Sequence, residues 1–274
     1  MLLFVEQLTV IDCGLLDAAR GLVGMSWLVD VSLQGEPDPC GMILDFGPAK
    51  RLIKNRIDRL VDHRLLVPTQ ADGLLRRGDQ LQFEDHTGHR LVYRGPSDST
   101  CLLASAAITA DAVAAHVRAD LERALPAGLH IEVSLREETI AGASYNYCHG
   151  LSQHGGNCQR IGHGHRCRLE ILADGLRTPA LERAGTARWQ DVFAGNRADL
   201  ANDPGDARYR FAYRSAAGDF VLELDAQRCR LLQAPTTVEN IALCIARGLK
   251  REQPDTHFLV RAYEGVRKGA VAEA

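Results

Sequence analysis

Aromatic residues are scarce, 5% of 274 positions, which argues against a surface built to stack nucleic-acid bases. An excess of one charge is lacking too: 32 Lys and Arg face 35 Asp and Glu, a formal net charge of -3. A polyanion partner is therefore excluded. No apolar run approaches the roughly 18–20 residues of a membrane helix. The opening MLLFVEQLTVID gains an acid at its sixth residue, where an export signal needs a basic flank and a longer apolar stretch. A cytoplasmic protein with no membrane partner is expected. Eight cysteines are too dilute for a disulfide scaffold, so metal or catalytic use is the better reading of them. Histidine is missing from residues 1–62 and again between His165 and His257.

What is present is an ordinary globular composition, 46% hydrophobic and 24% charged, long enough for two small domains or one large one. Residues 1–146 hold 14 basic and 20 acidic side chains, and the remainder holds 18 and 15. The second part is thus mildly basic, which suits a small anionic ligand.

The chain repeats itself. TADAVAAHVRADLERALP (109–126) parallels TVENIALCIARGLKREQP (237–254). Val113, Val117 and Leu121 form one helical stripe, and Ile241, Ile245 and Leu249 reproduce it. Thr236 and Glu239 stand at capping-box spacing before the second helix. Each helix precedes a β-rich stretch ending in a glutamate, Glu137 or Glu264, with a glycine five residues on. Ahead of each lies a hairpin pattern, at 81–95 and at 210–224. The repeat predicts an α+β protein of two tandem domains, 1–146 and 147–274, each an antiparallel sheet with helices on one face. A further helix is expected over about 48–62, where Leu52, Ile53, Ile57, Leu60 and Val61 share a face. Its counterpart is sought in the weaker RWQDVFAGNRADLAND, beginning at Arg188.

Reactive side chains concentrate between Cys148 and Cys167, where His149, His154, His163 and His165 fall within 17 residues. His163 and His165 are two apart entering a strand, so both imidazoles leave one face and can converge on an ion. His149 can supply a third nitrogen. Three neutral imidazoles with an open fourth position make a catalytic rather than a structural zinc site. A structural knuckle using Cys148, Cys158 and Cys167 and a set of plain surface histidines are the competing readings.

These residues resemble the 6-pyruvoyl-tetrahydropterin synthase and 6-carboxytetrahydropterin synthase family of tunnelling-fold enzymes. The resemblance rests on Cys158 with Gly162-His163-Gly164-His165, on Gly41-Met-Ile-Leu-Asp-Phe46, Leu60-Val-Asp-His63, Pro235-Thr-Thr-Val-Glu-Asn240 and Val260-Arg-Ala-Tyr-Glu264. It implies zinc on His149, His163 and His165, Cys158 as base, Asp62 and His63 as an acid–base pair, and Glu264 as the pterin anchor, with Glu137 its first-half copy. It also implies a homo-oligomer with sites shared between neighbouring subunits.

Each half departs from the family in a complementary way. Gly24-Met25-Ser26-Trp27 stands where the first half should carry His-Gly-His, and the second half has no Asp-His pair. One active site assembled from both halves is therefore expected. The short join near residue 146 favours assembly across chains, with strands of both halves in one continuous sheet and chains closed into rings. The activity implied is that of a zinc-dependent lyase acting on 7,8-dihydroneopterin triphosphate. 6-Carboxytetrahydropterin synthase of queuosine (7-deazaguanine) biosynthesis comes first and 6-pyruvoyl-tetrahydropterin synthase second. A zinc-binding assembly protein without turnover is the rival of another class.

Overall fold

A computed structural model describes all 274 residues. Two long strands open the chain, β1 (Leu2–Asp17) and β2 (Gly21–Gln34), followed by α1 (Phe46–Leu60), β3 (Leu65–Pro68), β4 (Leu74–Arg77), β5 (Gln80–Glu84), β6 (Arg90–Arg94), β7 (Thr100–Leu103), α2 (Ala110–Ala124) and β8 (His130–Arg136). The second half follows the same plan with β9 (Ser144–His149), β10 (His163–Ala173), the short β11 (Leu176–Arg177), α3 (Pro179–Trp189), β12 (Val192–Asn196), β13 (Arg208–Ser215), β14 (Gly218–Asp225), β15 (Cys229–Leu232), α4 (Val238–Glu252), β16 (Phe258–Tyr263) and β17 (Gly269–Glu273). The two main sheets repeat one order, β7-β3-β1-β2-β8 and β15-β12-β9-β10-β16, the second extended by β17. Residue 146 falls inside β9, and the stretch between the strands of the two halves is 137–143. No helix is long and apolar enough to cross a membrane.

The helices form where periodicity places them. Asp45 caps α1 by accepting from Gly47 N, and Thr109 caps α2 by accepting from Ala112 N. Their apolar stripes, Ile53 and Ile57 with Val113, Val117 and Leu121, pack on one face of the first sheet against Ile11, Cys13, Val29 and Val31. In the second half Ile241, Ile245 and Leu249 pack in the same way against Leu169, Ile171 and Val260. Thr237, not Thr236, caps α4, by accepting from Asn240 N. Thr236 is turned to the histidines instead.

The structure corrects three expectations. The helix paired with α1 lies at Pro179–Trp189, upstream of the segment expected, much of which is β12. Its inward positions hide the pattern: Glu182 is buried and accepts from Ile171 N and Arg177 Nε, and Gly185 lies where a Cβ would press on Leu169. Secondly, β3, β7, β12 and β15 join the sheets by parallel pairing. Thirdly, the halves do not share one continuous main sheet. The sheet common to both is β13-β14-β6-β5-β4, where the two hairpins meet through Leu222 and Tyr93.

The main sheets instead meet face to face. Gly14 and Gly24 of the first half press on Gly162, Gly164 and the Tyr147 carbonyl of the second. Around this contact Leu16, Leu22, Leu65, Val67, Phe83 and Tyr93 mix with Cys148, Ile161, Phe193, Phe211, Phe220 and Leu222 in one core cluster. Each large apolar side chain buried there stabilises the union by about 1.5–3 kcal/mol. A Cβ on Gly24 would fall on the Tyr147 oxygen and 2.6 Å from His165 N. Gly24→Ala should therefore cost at least about 1–3 kcal/mol by overpacking, read as a lowered midpoint of thermal unfolding. Gly155→Ala, with open space around it, should stay within about 0.5 kcal/mol of the parent.

Candidate active site

β9 and β10 are paired so that His149 lies opposite His163 and Tyr147 opposite His165. Because side chains alternate along a strand, His149, His163 and His165 share the face turned toward the first half. All three are fully buried, at 1% exposure or less. His149 Nδ1 lies 2.9 Å from the Thr236 carbonyl oxygen, and His163 Nδ1 lies 2.7 Å from that of Arg160. A carbonyl only accepts, so both Nδ1 atoms carry the proton and both Nε2 atoms present a lone pair. His165 Nδ1 faces Asp12 Oδ1 at 3.2 Å, outside ideal hydrogen-bond geometry but within ion-pair reach.

The three Nε2 atoms thus converge, with ligand atoms within 4.8 Å of one another. Those of His149 and His165 are 3.2 Å apart, and that of His163 is buried without a partner. Burial and the neighbouring imidazoles lower the pKa of His149 and of His163 well below the usual imidazole value. Both are neutral near pH 7, the state that a metal ligand needs. Buried lone pairs aimed at one point repel one another unless a cation lies between them. The donor set fits a metal ion.

The first half completes the cluster. After α1, His63 takes a left-handed backbone, φ 52°, and its N–H donates to the Asp12 carbonyl at 2.7 Å. Its Nδ1 meets Asp62 Oδ2 at 2.6 Å, and Asp62 Oδ1 accepts from Asp12 N at 2.9 Å. The ring stands 5.0 Å from that of His163. Cys158 lies beside His63, and the two with His163 form a second close trio. Burial lowers the His63 pKa, but Asp62 and Cys158 outweigh it and raise the value to about 10. All of this occurs in one chain. The expectation of assembly across chains is corrected: once the sheets dock face to face, the end of α1 already lies over β10, and the join has nothing to span.

Glu264 follows β16, and its Oε1 lies 4.0 Å from His165 Nε2. Glu137, at the matching place in the first half, is half-exposed and held by Arg166 at 2.9 Å. Strand register shows why no second cluster forms. Leu15 pairs with Val23 and Cys13 with Met25, as His149 pairs with His163 and Tyr147 with His165. The ligand positions of the first half are therefore Leu15, Val23 and Met25, all buried, rather than Gly24-Met25-Ser26. The place of His63 is taken in the second half by Asp191, also left-handed at φ 56°, whose N–H donates to Asn146.

Asp12 escaped the reading of the sequence. Buried in β1, it accepts from Ser26 Oγ at 2.5 Å and from Lys268 Nζ at 3.3 Å. Burial pushes its carboxyl pKa up, but His165, Lys268 and Ser26 prevail and hold it below the carboxylate range. A single acid inside the apolar run Val10-Ile-Asp-Cys-Gly-Leu-Leu16 was the available signal.

Residues 17–147 match the family model of 6-pyruvoyl tetrahydropterin synthase. The resemblance of the chain to the 6-pyruvoyl tetrahydropterin synthase family thus has a match of its own, in the half that carries Asp62 and His63. The His163 and His165 cluster lies beyond the matched residues. Similar solved structures include 6-pyruvoyl tetrahydropterin synthases of Plasmodium vivax and Plasmodium falciparum, each 17% identical with a TM-score of 0.42. Each alignment covers 49% of this chain and 90% of the other. No curated protein matches the chain.

One cluster per chain has a direct consequence. Titration with Co2+, followed by its visible absorption, should saturate at one equivalent per chain, and His163→Ala should abolish tight uptake because two imidazoles hold a divalent ion poorly.

Proposed function

We propose that this chain is a zinc-dependent lyase of reduced pterin triphosphates, acting on 7,8-dihydroneopterin triphosphate as a 6-carboxytetrahydropterin synthase of the queuosine (7-deazaguanine) route. The observation that carries the reading is the convergence of three Nε2 lone pairs beside a Cys158–His63–Asp62 line within one chain. Two nitrogens on a tetrahedral zinc with Zn–N of about 2.0–2.1 Å stand about 3.3 Å apart, against 3.2 Å between His149 and His165. His149, His163 and His165 hold the ion and leave its fourth position to substrate. When bound, zinc lowers the pKa of vicinal side-chain hydroxyls and steadies their anionic forms.

The remaining work belongs to the chain. Cys158, on the rim of the cluster, accepts a proton from the pterin side chain. His63 keeps its Nδ1–H on Asp62 and passes protons at Nε2. Asp62 is itself held by Asp12 N, so the ring cannot turn away. Glu264 takes the pterin amino group and ring N–H, two donors matched to one planar carboxylate. Glu137, occupied by Arg166, has no metal centre to serve. Open outer edges at β7 and β8 support association into a homo-oligomer, since exposed edges invite strand pairing.

The decisive experiment incubates purified, metal-quantified protein with 7,8-dihydroneopterin triphosphate and identifies the product by mass. 6-Carboxytetrahydropterin is expected. 6-Pyruvoyltetrahydropterin would move the assignment to the other activity, and no turnover with one zinc bound would leave a binding protein. Cys158→Ala should keep its zinc and lose about two to four decades of rate. Mixing inactive His63→Ala and Cys158→Ala proteins should restore nothing, because both groups serve one site of one chain. Recovered activity would show that sites form across chains.

A further inference from the structure

Asp12 touches both the histidine cluster and the Asp62–His63 pair. It belongs to the first half, yet its Oδ1 is the acceptor facing Nδ1 of His165 in the second. The other two imidazoles are fixed by main-chain carbonyls of their own half, Thr236 and Arg160. His165 alone is oriented by a charged group from across the interface. The main chain of Asp12 is engaged at the same time: its N–H donates to Asp62 and its carbonyl accepts from His63 N–H. A shift of this one residue would move a metal ligand and the acid–base pair together.

We propose that Asp12 is the positioning residue of the metal centre, its carboxylate holding His165 with Nδ1 protonated and Nε2 aimed at the ion while its main chain sets Asp62 and His63 on the same point. The inference rests on the zinc reading for the identity of the ion but not for the orientation of the ring. A carboxylate behind a ligating imidazole fixes its tautomer and raises its basicity, and removal of such a partner typically weakens metal binding 10- to 100-fold. The pseudosymmetric residue is Asn146, which donates to the Gly24 carbonyl and accepts from Arg20. With no imidazole to orient there, an uncharged amide meets the need.

The competing account makes Asp12 only a buried partner of Lys268. Zinc affinity measured by competition with a chromophoric chelator, on the full chain, separates the two. Asp12→Asn preserves the shape and the acceptor for Ser26 and should weaken zinc binding about 10- to 100-fold. Lys268→Met should change it less than threefold if the ion pair is incidental. Equal losses in the two variants, or an Asp12→Asn affinity within threefold of the parent, would overturn the proposal. Should Asp12→Asn not fold, long-range 15N–1H correlation on the metal-free parent still decides it. His165 protonated on Nδ1 is expected, and protonation on Nε2 refutes the role. A parent chain that takes up no zinc would instead defeat the functional reading, leaving the His165 tautomer as an independent test.

Discussion

Three glycines, Gly14, Gly24 and Gly164, set the distance between two sheets, and the rest of the site depends on that distance. Gly14 and Gly24 meet Gly162 and Gly164 with main chain on main chain, a contact that a Cβ on Gly14, Gly24 or Gly164 would prevent. Only at this separation can short side chains reach across: Ser26 Oγ accepts from Arg166 N at 3.1 Å, and Asp12 reaches His165. A wider gap would leave Asp12 as a buried carboxylate with Ser26 alone, and His165 free to turn. The three clustered histidines are consequently built on strands rather than loops, with their geometry fixed by close packing.

The same architecture appears twice and is filled differently, which turns the pseudosymmetry into an internal control. Where the second half has three imidazoles, the first has Leu15, Val23 and Met25, side chains that need neither ion nor hydrogen-bond partner. Where the first half has Asp62 and His63, the second has Gln190 and Asp191. Asp191 is bound by Arg20 in a two-pronged pair, 2.8 and 2.6 Å. Each replacement satisfies its own buried polar groups, as burial demands. The three clustered imidazoles belong to one half and the Asp62–His63 pair to the other, so the cluster forms only where both halves meet.

Much of this was legible in the sequence because it depends on period and spacing. The stripes of α1, α2 and α4 and the hairpins declare themselves by apolar periodicity, and His163 and His165 by the two-residue alternation of a strand. α3 did not, because its inward face is Glu182, Gly185, Thr186 and Trp189, which no hydrophobic count picks out. Assembly within one chain was also hidden. A short join limits reach, but the reach required depends on how the sheets dock, and docking follows from glycines whose role appears only once both halves are folded. Asp12 was hidden for the opposite reason: an isolated acid in an apolar strand is visible, but its partners lie 14, 50 and 153 positions away, at Ser26, Asp62 and His165.

The arrangement ties ion binding to the union of the halves. Without a cation, His149 and His163 direct lone pairs into a common buried point beside His165, and this crowding works against the contact that holds them there. A cation bound there, as proposed, would relieve the crowding and anchor His165 more firmly on Asp12, hence on β1. Any ligand that binds the closed arrangement better than the open one stabilises it by mass action. If the proposed ion binds there, its binding and the face-to-face packing are thermodynamically linked: whatever loosens the glycine contact would weaken ion binding, and ion binding would tighten that contact in return. On the proposed reading, catalytic competence and the joining of the two halves become one equilibrium, because Asp12, which faces His165, and Gly14, which packs the sheets, are neighbours on β1.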